Sequence, residues 1–212
     1  MLDNLHWLGH SGFRWEGSKT LYFDPYKLAS SAKKADVILV SHEHFDHCSI
    51  DDIAKISTGE TAIVASDDAG KELQRAKVLC NNIFILTPGG SISISGIKII
   101  AVAAYNTNKK FHTKGSNKLG FVVTMDGISV YHAGDTDDIP EMKDIKCDIA
   151  LVPVSGTYVM TADEAARAVL NIKPRYAVPM HYGEVAGTPE DAKRFQGLLK
   201  DRIETRILKK EK

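Results

Sequence analysis

The chain predicts an α/β fold in which two β-sheets pack together and helices cover them outside. Two observations carry that prediction. Apolar runs of strand length are followed by helical patterns in both halves of the 212 residues, the arrangement of sheets covered by helices. Several of those runs also end directly in residues with imidazole or carboxylate side chains, and strand ends are where open α/β folds place ligands. The length fits one domain over residues 1–212 and is enough to bury most of the apolar surface.

In order along the chain, Leu5 to Leu8 reads as a strand, Gly9-His10-Ser11-Gly12 as a turn and Phe13 to Glu16 as the next strand. Gly17-Ser18-Lys19 turns into a strand over Thr20 to Phe23, which ends at Asp24-Pro25. Ala35 to Ser41 is a strand around the apolar run Val37-Ile38-Leu39-Val40. Ser49 to Ser57 reads as a short helix whose apolar face is Ile50, Ile53, Ala54 and Ile56. Ala62 to Ala65 is a strand, and Asp67 or Asp68 caps a helix reaching about Lys77. Ile83 to Leu86 follows as a short strand, then a turn at Pro88-Gly89-Gly90. Ser91 to Ser95 alternates as a half-buried strand should, Gly96 turns the chain, and Ile97 to Ala104 ends near Tyr105-Asn106. After a polar loop through Lys118, Leu119 to Met125 and Ile128 to Tyr131 form a hairpin around Asp126-Gly127. Ile149 to Val154 is a strand, Thr161 to Asn171 a helix opened by a Thr161-Ala162-Asp163-Glu164 capping box, and Tyr176 to Pro179 a last short strand before His181. From Pro189 onward the pattern is a terminal helix and a charged tail.

Lysine plus arginine balance aspartate plus glutamate at 27 each, so no global field recruits nucleic acid or an anionic membrane. A small anionic substrate stays open, because a metal brings its own local charge. Cys48, Cys80 and Cys147 are odd in number and widely spaced, which fits a reducing cytosol better than a disulfide framework. The start Met1-Leu2-Asp3-Asn4 has no signal-peptide character. No run approaches the ~18 apolar residues of a membrane span. A cytoplasmic protein is the expectation.

The segment His42-Glu43-His44-Phe45-Asp46-His47 holds three imidazoles and Asp46 directly after an apolar strand. Neutral imidazole and carboxylate suit zinc and similar divalent ions. Histidines merely decorating a polar turn are the bland alternative, and their density here favours a metal site. Cys48 follows the cluster and reads as a buried bystander rather than a neighbour of the metals. Three later segments share the form of a strand ending in a ligand-type residue: Tyr131-His132-Ala133-Gly134-Asp135-Thr136, Val178-Pro179-Met180-His181-Tyr182-Gly183, and the loop with Asn106 and His112. Taken singly, Asp135 would be a turn aspartate and His181 a structural histidine.

Together these segments resemble the metallo-β-lactamase superfamily of metal-dependent hydrolases over nearly the whole chain. The resemblance rests on His42-x-His44-x-Asp46-His47, the His-Ala-Gly-Asp segment at Asp135 and the Pro-Met-His segment at His181, in the family order. Gly9-His10-Ser11-Gly12-Phe13 and Asp24-Pro25 resemble more narrowly its small ascorbate-phosphate-lactonase-like branch. The resemblance implies a four-layer αββα sandwich with two metals in a cleft at one edge. It implies His42 and His44 on the first metal with a third histidine from the middle loop, Asp46, His47 and His181 on the second, and Asp135 bridging both. Several relatives carry a histidine where this chain has Tyr105-Asn106. His112 could fold back to complete the first site; the alternative is two histidines, helped by Asn106. His10 is a candidate catalytic residue with Asp46, as a substrate contact or as an anchor for a ligating group, with a plain turn histidine as the alternative. Asp24 is placed to orient a ligand, His132 reads as a packing or anchoring residue, and His6 is unassigned.

Two divalent ions ~3.5–4 Å apart can share a water and lower its pKa towards neutrality, so that hydroxide is the expected nucleophile. Zinc is the default for an imidazole-rich site, with manganese or iron also compatible. Asp46 would ligate and orient the hydroxide, and the leaving-group proton would come through water, His10 or Tyr158. The expected substrate is a small ester: a phosphodiester, a phosphorylated metabolite or a lactone. Asp135 stands where thiolate-ligated β-lactamases carry cysteine, and His44 where flavodiiron proteins carry glutamate, so neither branch fits. Cys48-Ser49 departs from the glycine pair of glyoxalase-like members. Two other classes stay open. A non-catalytic metal-binding sensor or scaffold is favoured by the unsettled third histidine and opposed by the full set of Asp46, His47, Asp135 and His181. Nucleic-acid hydrolysis is disfavoured by the neutral charge and the lack of an RNA-binding insertion.

Overall fold

The structure, a computed structural model, describes residues 1–211. Strands β1 (Leu5–Gly9), β2 (Gly12–Glu16) and β3 (Thr20–Phe23) form an antiparallel meander. Strands β4 (Val37–Val40), β5 (Ala62–Ala65) and β6 (Asn82–Ile85) then add in parallel, giving a six-stranded sheet in chain order. Parallel neighbours need a crossover, and α1 (Ile50–Ile56) and α2 (Asp67–Arg75) supply two of them.

The second sheet has seven strands. Strands β7 (Ser91–Ile94), β8 (Ile97–Ala103), β9 (Leu119–Met125) and β10 (Ile128–His132) run antiparallel. Strands β11 (Ile149–Pro153), β12 (Tyr176–Met180) and β13 (Glu204–Thr205) continue in parallel, with α3 (Ala162–Ile172) and α4 (Pro189–Leu198) in the crossovers.

Alternation along β4 shows why the layers stack. Ile38 and Val40 pack with Ile53 and Ile56 of α1 and Leu73 of α2, whereas Val37 and Leu39 join Phe121 and Val123 of the second sheet. Successive strand side chains face opposite sides, so a run apolar at every position is a strand covered on both faces. On the far side Ala165, Val169 and Phe195 of α3 and α4 join Leu151 and Val178. The product is the helix–sheet–sheet–helix sandwich that the resemblance implied. Each large side chain so buried contributes roughly 1.5–3 kcal/mol.

The Asp126-Gly127 hairpin forms as predicted, with φ of 51° and 74° at its two turn residues; positive φ at both is what this tight turn requires. The capping box at Thr161 and Glu164 is present. Other details depart from the sequence reading. In α1, Ala54 is exposed and Asp52 buried, because the Asp52 carboxylate accepts from the amides of Lys27 (2.7 Å) and Leu28 (3.1 Å), Ser49 Oγ (2.8 Å) and Lys55 Nζ (2.8 Å). Ser66, not Asp67 or Asp68, is the N-cap of α2; the two aspartates sit in its first turn, where the positive end of the helix favours them. The tail is also structured: it contributes β13, and Glu211 accepts from Arg14 Nη2 at 2.8 and 2.7 Å. Among the described residues no helix is long and apolar enough to cross a membrane.

Candidate metal centre

The strand ends that carry ligand-type residues converge at one end of the sandwich. His10 follows β1, the His42–His47 cluster follows β4, Asp135 follows β10 and His181 follows β12, while His112 comes from the loop between β8 and β9. One donor atom each from His42, His44 and His112 lie within 4.8 Å of one another. The same holds for His10, Asp46, His47 and His181, and for His42, His47 and Asp135. Asp135 sits between the groups: its Oδ2 is 3.9 Å from His42 Nε2, 3.7 Å from His112 Nε2 and 3.3 Å from His181 Nε2, and its Oδ1 is 3.2 Å from His47 Nε2.

Surrounding groups fix how the imidazoles point. A carboxylate only accepts, so His47 Nδ1–H donates to Asp24 Oδ2 at 2.7 Å and Nε2 is turned towards Asp135 Oδ1 at 3.2 Å. Ser41 gives its only hydroxyl proton to Asp24 Oδ2 at 2.6 Å. The contact between His42 Nδ1 and Ser41 Oγ at 2.9 Å is then donated by the histidine, which frees Nε2. His181 Nδ1 donates to Ser155 Oγ at 2.9 Å by the same logic, since Ser155 donates to the Thr157 carbonyl. Ligating histidines are commonly anchored through the second nitrogen in this way.

The middle loop does fold back. The Asn106 amide donates to the His112 carbonyl at 2.7 Å and brings that imidazole to 3.1 Å from His44 Nδ1. Asn106 Nδ2 donates to the carbonyls of Phe111 (3.0 Å) and Tyr158 (2.6 Å), which takes both amide hydrogens, and its Oδ1 is buried without a hydrogen-bond partner among the described residues. His10 is fully buried, with Nε2 2.9 Å from Asp46 Oδ2, and does not line the cavity over the site. His132 stacks on Phe23 and contacts the Ser11 carbonyl, and His6 pairs with Glu211. Cys48 is buried outside the donor groups, and burial pushes its thiol up to about 12. Ser41, Ser155 and the clamping role of Asn106 escaped the sequence reading. Ser41 carries a local signal as the residue before His42; Ser155 carries none.

Five residues of the site and its cavity wall have left-handed backbones, Asp24 (φ 40°), His10 (49°), His112 (54°), His181 (60°) and Tyr158 (64°). For a residue with a Cβ this costs about 1–2 kcal/mol, and such strain gathers at functional sites. Burial alone would depress His47, yet the carboxylates of Asp135 and Asp24 hold it well above the ordinary histidine range. Burial lowers His42, reinforced by neighbouring His47. Burial would raise Asp46, but the hydrogen bond from His10 and the charge of His47 bring it down to about 2. Asp135 is likewise held far down against its burial by His181 and His47.

A cavity of about 250 Å³ opens over His44, Asp46, His112, Asp135 and His181. A larger one of about 490 Å³, between β8 and Pro140–Asp144, has no imidazole in its wall. The donor set fits a divalent cation. The buried atoms His47 Nε2 and Asp135 Oδ1 have no hydrogen-bond partner among the described residues, and a cation ligated by both would satisfy them.

Fold and site together define a metal-dependent hydrolase of the metallo-β-lactamase fold. The chain belongs to the β-lactamase superfamily, whose domain model matches residues 4–181. It is 36% identical to a UPF0173 metal-dependent hydrolase of Thermococcus onnurineus, covering 97% of this chain and 96% of that one. A second such hydrolase, from Thermoplasma acidophilum, is also 36% identical, over 93% and 92% of the two chains. Among solved structures, a candidate metal-dependent hydrolase from Parabacteroides distasonis superposes with a TM-score of 0.84 at 35% identity, over 97% and 93%. Igni18, a metallo hydrolase from Ignicoccus hospitalis, shares the fold at a TM-score of 0.76 and 23% identity, over 98% and 95%.

Proposed function

We propose that the chain hydrolyses a small ester at a centre of two divalent ions, with zinc the default. The observation that carries this reading is the position of Asp135, within 4 Å of His42 and His112 on one side and of His47 and His181 on the other. His42, His44 and His112 would hold one ion, Asp46, His47 and His181 the other, and Asp135 both. Ions bound there supply Lewis acidity towards the ester oxygen and lower the pKa of a water.

The chain's own residues set the geometry for that chemistry. Asp46, ionised far below neutral pH, is available to ligate an ion and to accept a hydrogen bond from water, and the His10 Nε2 contact fixes its orientation. His10 is therefore a positioning residue acting through Asp46. Tyr158 on the cavity wall, or water, supplies the proton to the leaving oxygen.

Elemental analysis of protein purified without chelator tests the centre: about two equivalents per chain are expected. A value near zero, unchanged after resupply, would reject it. Asp135→Ala should lose about one equivalent and cut turnover roughly 100-fold while the circular dichroism spectrum stays that of the parent. Normal turnover at full metal content would exclude the bridging role.

A further inference from the structure

The cavity wall is apolar in an unusual way. Seven large apolar side chains are exposed among the described residues, and four of them, Phe45, Phe111, Tyr158 and Val185, line this one cavity. Single exposed apolar residues need no explanation, but a cluster does. Phe111 and Tyr158 meet edge to face with ring centroids 5.3 Å apart, and Phe111 lies 6.4 Å from the His44 ring. The two are also held in place, because the Asn106 side chain donates to both of their carbonyls and Tyr158 keeps a left-handed backbone at φ 64°.

Cationic groups are absent from that wall. No lysine or arginine lines it, and four cations of the adjoining segments are paired: Lys27 and Lys210 with Glu184, Lys109 with Asp137 and Lys118 with Glu43. Lys110, exposed beside Phe111 in sequence, is not part of the lining. The ions proposed above would meet a phosphoryl group's charge at the histidine end, but no side-chain cation adds to them, and packing a dianion against the bare rings strips its hydration without return. An uncharged apolar group gains from the same wall.

Resting on the hydrolase reading above, we infer that the substrate is a carboxylic ester or lactone bearing an uncharged alkyl or aryl group. That group sits between Phe45, Phe111, Tyr158 and Val185 while the carbonyl faces the histidines. The volume of about 250 Å³ lies under the ~300 Å³ at which drug-sized sites begin, so the group is a short chain or a single ring. Hydrolysis breaks the bond from acyl carbon to alkoxy oxygen. Water's oxygen joins the acyl carbon to give a carboxylate and a proton, and the alkoxy oxygen leaves protonated as an alcohol; from a lactone both stay in one hydroxy acid.

Two readouts on the metal-loaded full-length chain test this. Calorimetry compares straight-chain carboxylates from acetate to hexanoate, with inorganic phosphate alongside. Steady-state kinetics compare γ-lactones of increasing alkyl length with alkyl phosphates of matched length. Affinity should tighten by up to about fourfold per methylene over the first carbons, kcat/KM should rise in parallel, and Phe111→Ala should flatten both trends. Hexanoate bound no tighter than acetate, or phosphates cleaved faster than lactones of equal chain length, would overturn the inference while leaving a hydrolase. Length-dependent binding with no ester cleaved would uphold the apolar recognition and overturn the hydrolase reading instead.

Discussion

Asp24 shows what a single carboxylate outside the histidine cluster decides. It stands at the end of β3, beside β4, and accepts from the Ser41 amide (2.7 Å), Ser41 Oγ (2.6 Å) and His47 Nδ1 (2.7 Å). All three partners are donors, so an amide in its place must turn an N–H against one of them. Asp24→Asn should therefore loosen His47 and weaken metal binding about 10- to 100-fold, read by competition with a chromophoric chelator. Unchanged affinity would show that His47 does not depend on this anchor. The cluster itself was legible in the sequence because His42, His44, Asp46 and His47 are neighbours on one strand end. His112 was legible as a candidate third histidine but without a motif to place it, because its position depends on a backbone bond from Asn106. Ser155 was not legible at all: its partner lies 26 residues away on another strand end.

The elements divide in the same way. Apolar runs such as Val37–Val40 and the paired turn residues Asp126-Gly127 declare themselves locally, and the strands they predict are present. β13 has two residues and no apolar run, so nothing in its periodicity marks it. Helix α1 was found, but its predicted buried face of Ile50, Ile53, Ala54 and Ile56 leaves out Asp52, which ties α1 to the Lys27–Leu28 backbone. Burial would raise this carboxyl, yet Lys55, Ser49 and the two amides hold it below its ordinary value. Asp52→Ala should cost roughly 2–3 kcal/mol, the scale of hydrogen bonds to a buried charge, measured by urea unfolding at pH 7. A folded value below the unfolded one means that the stabilisation is complete above about pH 4 and disappears as the pH falls through the folded value. The gap between parent and variant should accordingly close in acid, and a gap that persists at pH 2 would assign the effect to packing.

At the scale of the molecule, the centre joins the two sheets. His10 and the His42–His47 cluster come from strand ends of the first, and His112, Asp135 and His181 from loops and strand ends of the second. Any ion held by both adds its binding energy to the stability of the native state. At a free concentration ~1,000 times the Kd that is about 4 kcal/mol, or about 10 °C in Tm for a chain of this size. Stripping the metal should lower the melting temperature by that order in differential scanning fluorimetry, with resupply restoring it. An unchanged melting curve on verified metal-free protein would mean that the sheets hold together without it.

The shared parentage of the site also orders events in time. Neither sheet owns a complete donor group: the first lacks His112, Asp135 and His181, and the second lacks everything from His10 to His47. Partners so far apart along the chain meet only after the long-range contacts between the halves have formed. High-affinity metal capture is therefore a late event in folding, and the appearance of a tightly held ion reports the docking of one half on the other rather than the formation of either alone.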